Sequence, residues 1–204
     1  MSETMTKDEK AVMTGANGFG EALCARDPKA LEQFFDVWFP LVHGYVRRQV
    51  IDEHVAEDLT QDIFLNLHRS FESYDPERDL TPWVYRIATN KIRDYWRSSH
   101  KNRTAQQSPD AEEDLVDRFS IDEVRPEETL VQAELSDEMW EAVHQLPEGL
   151  RDTIVMRVYH EMSFEAIGKA LDRNAAAVRK RYSRALSALR ECLEGHATLS
   201  LESA

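Results

Sequence analysis

A chain of 204 residues, 42% of them hydrophobic, can build one ordinary domain or two small ones. Seven glycines and seven prolines are too few for a β-sandwich or a collagen-like chain, and no apolar run is long enough to span a bilayer, so no membrane insertion is expected. A formal net charge of −13 argues against a polyanionic partner only until its distribution is read.

The polar, acidic start lacks the basic and apolar parts of a secretory signal. Cys24 and Cys192 lie far apart, which points to a reducing, cytoplasmic setting rather than a disulfide framework. Residues 1–27 show no periodicity and are expected to form a disordered N-terminal extension. Gly15, Gly18 and Gly20 are spaced somewhat like a dinucleotide-binding turn. Such a turn must follow a strand inside a βαβ unit, and KDEKAVM is a poor strand, so no nucleotide cofactor is expected.

From Pro28 the chain becomes periodic. Ala30, Leu31, Phe34, Phe35, Trp38, Leu41, Val42, Tyr45 and Val46 recur at three- and four-residue steps, predicting an apolar helix face that Pro40 kinks or divides. A second helix is predicted over 53–71, with Val55, Leu59, Ile63, Leu67 and Phe71 inward. On another face it carries Glu57, Asp58, Gln61 and Asp62 beside an exposed Leu65, which suits docking to a protein. Thr81 and Pro82 read as N-cap and first residue of a third helix reaching about Ser98. Its residues Arg86, Asn90, Arg93 and Arg97 form one polar stripe, with Trp83, Tyr85, Tyr95 and Trp96 interleaved. Cations track a phosphate backbone and aromatic faces stack on unpaired bases; at least two of these four aromatics are expected to be structural.

Residues 99–129 lose periodicity and read as a flexible acidic linker between domains. Residues 110–148 hold fourteen acids against two bases, which accounts for nearly all of the net charge. Two basic islands flank that stretch: residues 86–103, with six bases and one acid, and 169–190, with seven bases and one acid. Local charge, not the total, decides where a polyanion docks.

Helical pattern returns over 130–194. Leu135, Met139, Ala142, Val143 and Leu146 form one stripe that Pro147 ends; Leu150, Ile154, Val155 and Val158 form the next. Ser163 can cap a short helix with Phe164, Ile167 and Leu171 inward. After a turn at 172–174, with Asn174 as N-cap, a last helix turns Val178, Tyr182, Ala185, Leu186, Leu189 and Leu193 inward. This is the pattern of a helix-turn-helix, whose second helix enters the major groove. Arg179, Lys180, Ser183 and Arg184 supply donors for bases and phosphates. No strand pattern is convincing, so the fold class is all-α: two small helical domains and a linker. The seven histidines are scattered, with no pair at ligand spacing, and no Walker-type loop occurs. No metal, no other cofactor and no enzyme activity are expected.

Four runs, in this order, resemble the group IV (extracytoplasmic function, ECF) sigma factors of the sigma-70 RNA polymerase family. They are ALEQFFDVWFPLVHGYV, AEDLTQDIFLNLHRSF, TPWVYRIATNKIRDYWR and LPEGLRDTIVMRVYHEMSFEAIGKALDRNAAAVRKRYSRALSALRE. The resemblance implies that 28–98 is sigma region 2 and 130–194 sigma region 4, with 195–204 a tail too short for a sensory domain. It implies that Asp58, Gln61, Asp62 and Leu65 dock on core RNA polymerase. It assigns Trp83, Arg86, Asn90, Lys91, Arg93 and Arg97 to the −10 element of promoter DNA, with Asn90 at a flipped base. It assigns Arg179, Lys180, Ser183 and Arg184 to the −35 element. The linker would thread the polymerase channel, and an anti-sigma factor would hold the free chain inactive. Ala176 and Ala177 depart from the Gly-Thr common at this place in the family, which bears on the −35 register. A stand-alone helix-turn-helix regulator is the alternative, and it leaves the stripe on 83–97 unexplained.

Overall fold

The computed structural model describes the backbone of residues 7–16, 18–103 and 137–202, and side chains over 10–16, 18–98 and 139–193. The expected linker beyond residue 103 and the stripe residue Leu135 lie outside the described residues. Those described contain helices and turns and no strand. The chain divides into two units, the first holding Met1–Arg97 and the second Ser98–Gly168 with Arg173–Ala204.

The first unit is built on three long helices. α3 (Pro28–Arg47) starts where the Asp27 carboxylate accepts from the Lys29 and Ala30 amides, both at 3.0 Å, with Pro28 preset for the first turn. Pro40 lies inside α3 without dividing it; Phe34 and Trp38 before it, and Val42 and Tyr45 after it, hold both halves to the core. α4 (Glu53–Ser70) is capped by Asp52, which accepts from the Val55 amide at 3.1 Å. It runs into a 3₁₀ turn, Phe71–Ser73. α5 (Leu80–Arg103) extends past the expected end near Ser98. Thr81 lies inside α5 rather than capping it, and its hydroxyl points elsewhere, as described below.

Trp38, Tyr45, Tyr85, Phe71, Ile63, Leu67, Leu80 and Ile92 are fully buried where the three helices meet. Tyr85 packs edge-on to Trp38 and Tyr45, at centroid distances of 5.9 and 5.3 Å. The Tyr45 and Thr89 hydroxyls share a buried hydrogen bond of 2.9 Å that pins α3 to α5.

Residues 7–26, expected to be disordered, carry two short helices, α1 (Lys7–Thr14) and α2 (Phe19–Cys24). Val12 and Leu23 are buried, and the Trp38 indole N–H donates to the Val12 carbonyl at 3.3 Å. The Thr81 hydroxyl donates to the Met13 carbonyl at 2.7 Å. Gly15 (φ 76°) and Gly18 (φ 79°) turn the chain between α1 and α2, which is the use of the glycine run. Helices of eight and six residues are too short to print a periodic stripe, so the sequence reads as loop.

Among the described residues the second unit has four helices: α6 (Asp137–Gln145), α7 (Glu148–Val158), α8 (Phe164–Leu171) and α9 (Ala175–Glu202). α9 runs through most of the expected tail. Leu150, Val155, Met156, Ile167, Val178 and Ala185 are buried between them. Arg151 donates to the carbonyls of His144 and Leu146, at 2.8 and 2.9 Å, closing the end of α6. Ser163 accepts from the Ala166 amide at 3.1 Å, and Asn174 from the Ala177 amide at 2.8 Å, so both expected caps form. Between α8 and α9, Asp172 takes a left-handed φ of 57° and the Arg173 amide donates to the Gly168 carbonyl at 2.8 Å.

Candidate polymerase and nucleic-acid interfaces

Asp58, Gln61, Asp62 and Leu65 lie at i, i+3, i+4 and i+7 on α4, and all four are exposed. Leu65 keeps 55% of its surface in solvent. An aromatic cluster that the sequence did not reveal lies one step round the helix. Phe35 and Phe39 of α3 and Phe64 of α4 have centroids 5.0 to 5.6 Å apart. His43 stacks on Phe39 at 5.9 Å. Phe35, expected inward, is 48% exposed and Phe39 is 37% exposed. α3 has more apolar residues than one stripe can bury, and the arc centred on Phe34, Trp38 and Val42 takes the core.

On α5, Arg86, Asn90 and Arg97 are exposed and Arg93 is half-buried. Lys91 reaches across to Asp62 of α4, with Nζ 2.9 Å from the carboxylate. Arg97 pairs with Asp94 at 3.0 Å. Both pairs are solvent-accessible and worth at most about 1 kcal/mol each. Of the four interleaved aromatics, Tyr85 is buried and structural. Trp83 is half-buried, 5.8 Å from Phe71 and 4.9 Å from Tyr74. Tyr95 and Trp96 touch each other at 5.2 Å and stay half-exposed. Burial, then the proximity of Cys24, Asp79, Asp75 and Glu21, pushes the Tyr74 hydroxyl up to about 12. It stays protonated and donates to the Arg78 carbonyl.

On α9, Arg179 and Lys180 are exposed and Ser183 is half-exposed. The Arg179 guanidinium is held by Glu165 of α8 at 2.9 Å and lies 5.7 Å from the Phe164 ring. Arg184, expected among the exposed donors, is only 9% exposed, although it follows Lys180 by one turn of α9. One turn before it, the Arg181 guanidinium lies close over Gly149 of α7.

Among the described residues no group of His, Cys, Asp and Glu could hold a metal ion, and no helix is long and apolar enough to cross a membrane.

The Sigma-70 region 2 family model matches residues 34–102, and the model of Sigma-70, region 4 matches residues 136–189. The RNA polymerase sigma factor CarQ of Myxococcus xanthus is 31% identical over 164 residues, 80% of this chain and 89% of CarQ. The chain belongs to the ECF group of the sigma-70 family. The ECF RNA polymerase sigma factor SigW of Bacillus subtilis is 29% identical over 169 residues, 82% of this chain and 90% of SigW. Among solved structures, CnrH in complex with the cytosolic domain of CnrY shares the fold at a TM-score of 0.63 and 21% identity, over 87% of this chain and 96% of that one. The sigma factor RpoE of Bartonella quintana, solved with the anti-sigma factor NepR, shares it at 0.58 and 20%, over 81% and 98%. As an ECF sigma factor, the protein binds core RNA polymerase and directs promoter-specific initiation. A stand-alone regulator has no use for the region 2 unit, and that reading is dropped.

Proposed function

We propose that this sigma factor divides its work as follows. The α4 face of Asp58, Gln61, Asp62 and Leu65, extended by Phe35, Phe39 and Phe64, docks on core polymerase. The exposed acids set orientation, and the solvent-facing apolar side chains supply burial. The α5 face of Trp83, Arg86, Asn90, Lys91, Arg93 and Arg97 takes the −10 element, with the cations on phosphates and the Asn90 amide on the edge of an unpaired base. Arg179, Lys180 and Ser183 read the −35 duplex from the more exposed positions of α9. The protein acts in the cytoplasm, beside polymerase, and does no covalent chemistry of its own.

The observation that carries this reading is the sorting of side chains on α5. Arg86, Asn90 and Arg97 stay in solvent while Val84, Tyr85, Ala88 and Ile92 of the same helix are buried. A helix so divided presents a row of donors that folding alone does not need.

The test is run-off transcription from a promoter library with core polymerase and the Asn90→Ala variant. Loss of contacts worth about 1–3 kcal/mol should slow promoter opening by about 5- to 150-fold and flatten base preference at one −10 position, with core affinity unchanged. Unchanged permanganate reactivity of the melted strand would refute the assignment. For the second unit, Arg179→Ala combined with Lys180→Ala should lower the slope of log affinity against log salt for −35 duplex by about 2. An unchanged slope would move the groove-facing surface elsewhere.

An inhibitory protein partner of the anti-sigma kind belongs to the same proposal. It is supported by family kinship and by the Bartonella RpoE of like fold, solved with such a partner.

A further inference from the structure

We propose that the N-terminal pair α1–α2 is a positioning element for promoter opening, bracing the 71–79 connection and the first turn of α5. The proposal rests on the assignment of α5 to the −10 element.

Residues 7–26 precede the region 2 match, which begins at residue 34. Besides packing on α3, where the Val12 carbonyl holds the Trp38 indole, they meet the 71–79 connection and the start of α5 at one junction. The Met13 carbonyl holds the Thr81 hydroxyl in the first turn of α5. The Cys24 thiol donates to the Tyr74 carbonyl at 3.4 Å, and Arg26 pairs with Glu72 at 2.9 Å. Gly15 and Gly20 are there because the approach is close. A Cβ on Gly15 would lie 2.9 Å from the Tyr74 hydroxyl oxygen, and one on Gly20 3.2 Å from the Pro76 Cα.

The connection itself is a single 3₁₀ turn followed by irregular chain, with Glu72, Ser73, Asp75, Glu77, Arg78 and Asp79 exposed. Such a segment has few contacts of its own to fix it. Tyr74 links the brace to the DNA face. Its backbone and hydroxyl meet α2 and the turn at Gly15, and its ring meets Trp83, one of the −10 residues, at 4.9 Å. The orientation of Trp83 and of the start of α5 therefore depends on where α1–α2 sit. A displaced brace leaves the polymerase-docking face of α4 intact and turns the opening apparatus out of register.

The experiment compares Gly20→Val, Thr81→Val and Thr81→Ser in the full chain with core polymerase. Three quantities are read: core affinity, permanganate reactivity at −10, and base preference at −10. Gly20→Val wedges the brace off Pro76, and Thr81→Val removes the bond to Met13. Each should cut opening by about fivefold or more and alter base preference, with core affinity kept within about twofold; Thr81→Ser should restore both. Normal opening by Gly20→Val and Thr81→Val, alongside impaired opening by Asn90→Ala, overturns the brace alone. Normal opening by all three overturns the assignment of α5, and the brace with it. Core affinity falling in step with opening means that α1–α2 merely stabilise the unit, which also overturns the proposal.

Discussion

Replacing Gly168 by alanine is expected to destabilise the second unit by about 1–3 kcal/mol, the usual cost of overpacking a close contact. A Cβ at this position would lie 2.5 Å from the Arg173 carbonyl oxygen, a distance at which one of the two must move. The obstacle is backbone, not the end of a flexible side chain, so relief requires shifting the turn. That turn is held by the Arg173 amide on the Gly168 carbonyl and by the left-handed Asp172. It sets where α9 begins, so −35 duplex affinity should fall together with the melting temperature. Gly149→Ala is the built-in contrast. The nearest atoms to its Cβ would be those of the Arg181 guanidinium, at 3.0 Å, and that long side chain can swing aside. Denaturant titration of both variants checks the pair; equal stability would show that α8 and α9 have slack between them.

Asp62→Arg should lower affinity for core polymerase about 10- to 100-fold while leaving the fold in place. Removing a charged hydrogen-bonding group from an interface costs about 1.5–3 kcal/mol, and the reversed sign adds repulsion toward any basic partner. The fold should lose no more than about 1 kcal/mol, because the pair broken among the described residues, Asp62–Lys91, is solvent-accessible. Lys91→Met separates the two effects: it breaks the same pair and keeps the carboxylate, so core affinity should hold while −10 DNA binding weakens. Co-purification with core polymerase and a thermal melt decide it. Retained binding by the Asp62 variant would place the docking face elsewhere.

The long helices were legible because each buries one stripe. Val84, Ala88 and Ile92 on α5, and Leu59, Ile63 and Leu67 on α4, sit in the core at the spacing that predicts them. Short polar caps were legible too, since Ser163 and Asn174 stand immediately before apolar helices. The misreadings have local causes. Thr81 resembles an N-cap because Pro82 follows it, but its hydroxyl is taken by a carbonyl 68 residues earlier, which no window along the chain can see. Phe35 lies at a stripe margin, where a rotation of a few tens of degrees decides burial and only the neighbouring helix fixes it. α1 and α2 were invisible because two brief helices and a pair of left-handed glycines carry the composition of a loop. At the sites, side-chain chemistry and spacing mark the faces of α4, α5 and α9. They do not mark Glu165, which anchors Arg179 from a different helix.

The hydrogen bond from Trp38 to the Val12 carbonyl has an optical consequence. Of the chain's four tryptophans, Trp38 alone is wholly shielded from solvent, and one wall of its cavity is the N-terminal segment. Release of that segment would wet the indole and shift its emission to longer wavelength. Trp96 and Trp140, already in partial contact with water, would change little, and Trp83 would add a smaller response through Tyr74. The molecule thus carries an intrinsic fluorophore that reports, without labelling, whether its first two helices are seated at the moment polymerase or promoter is added.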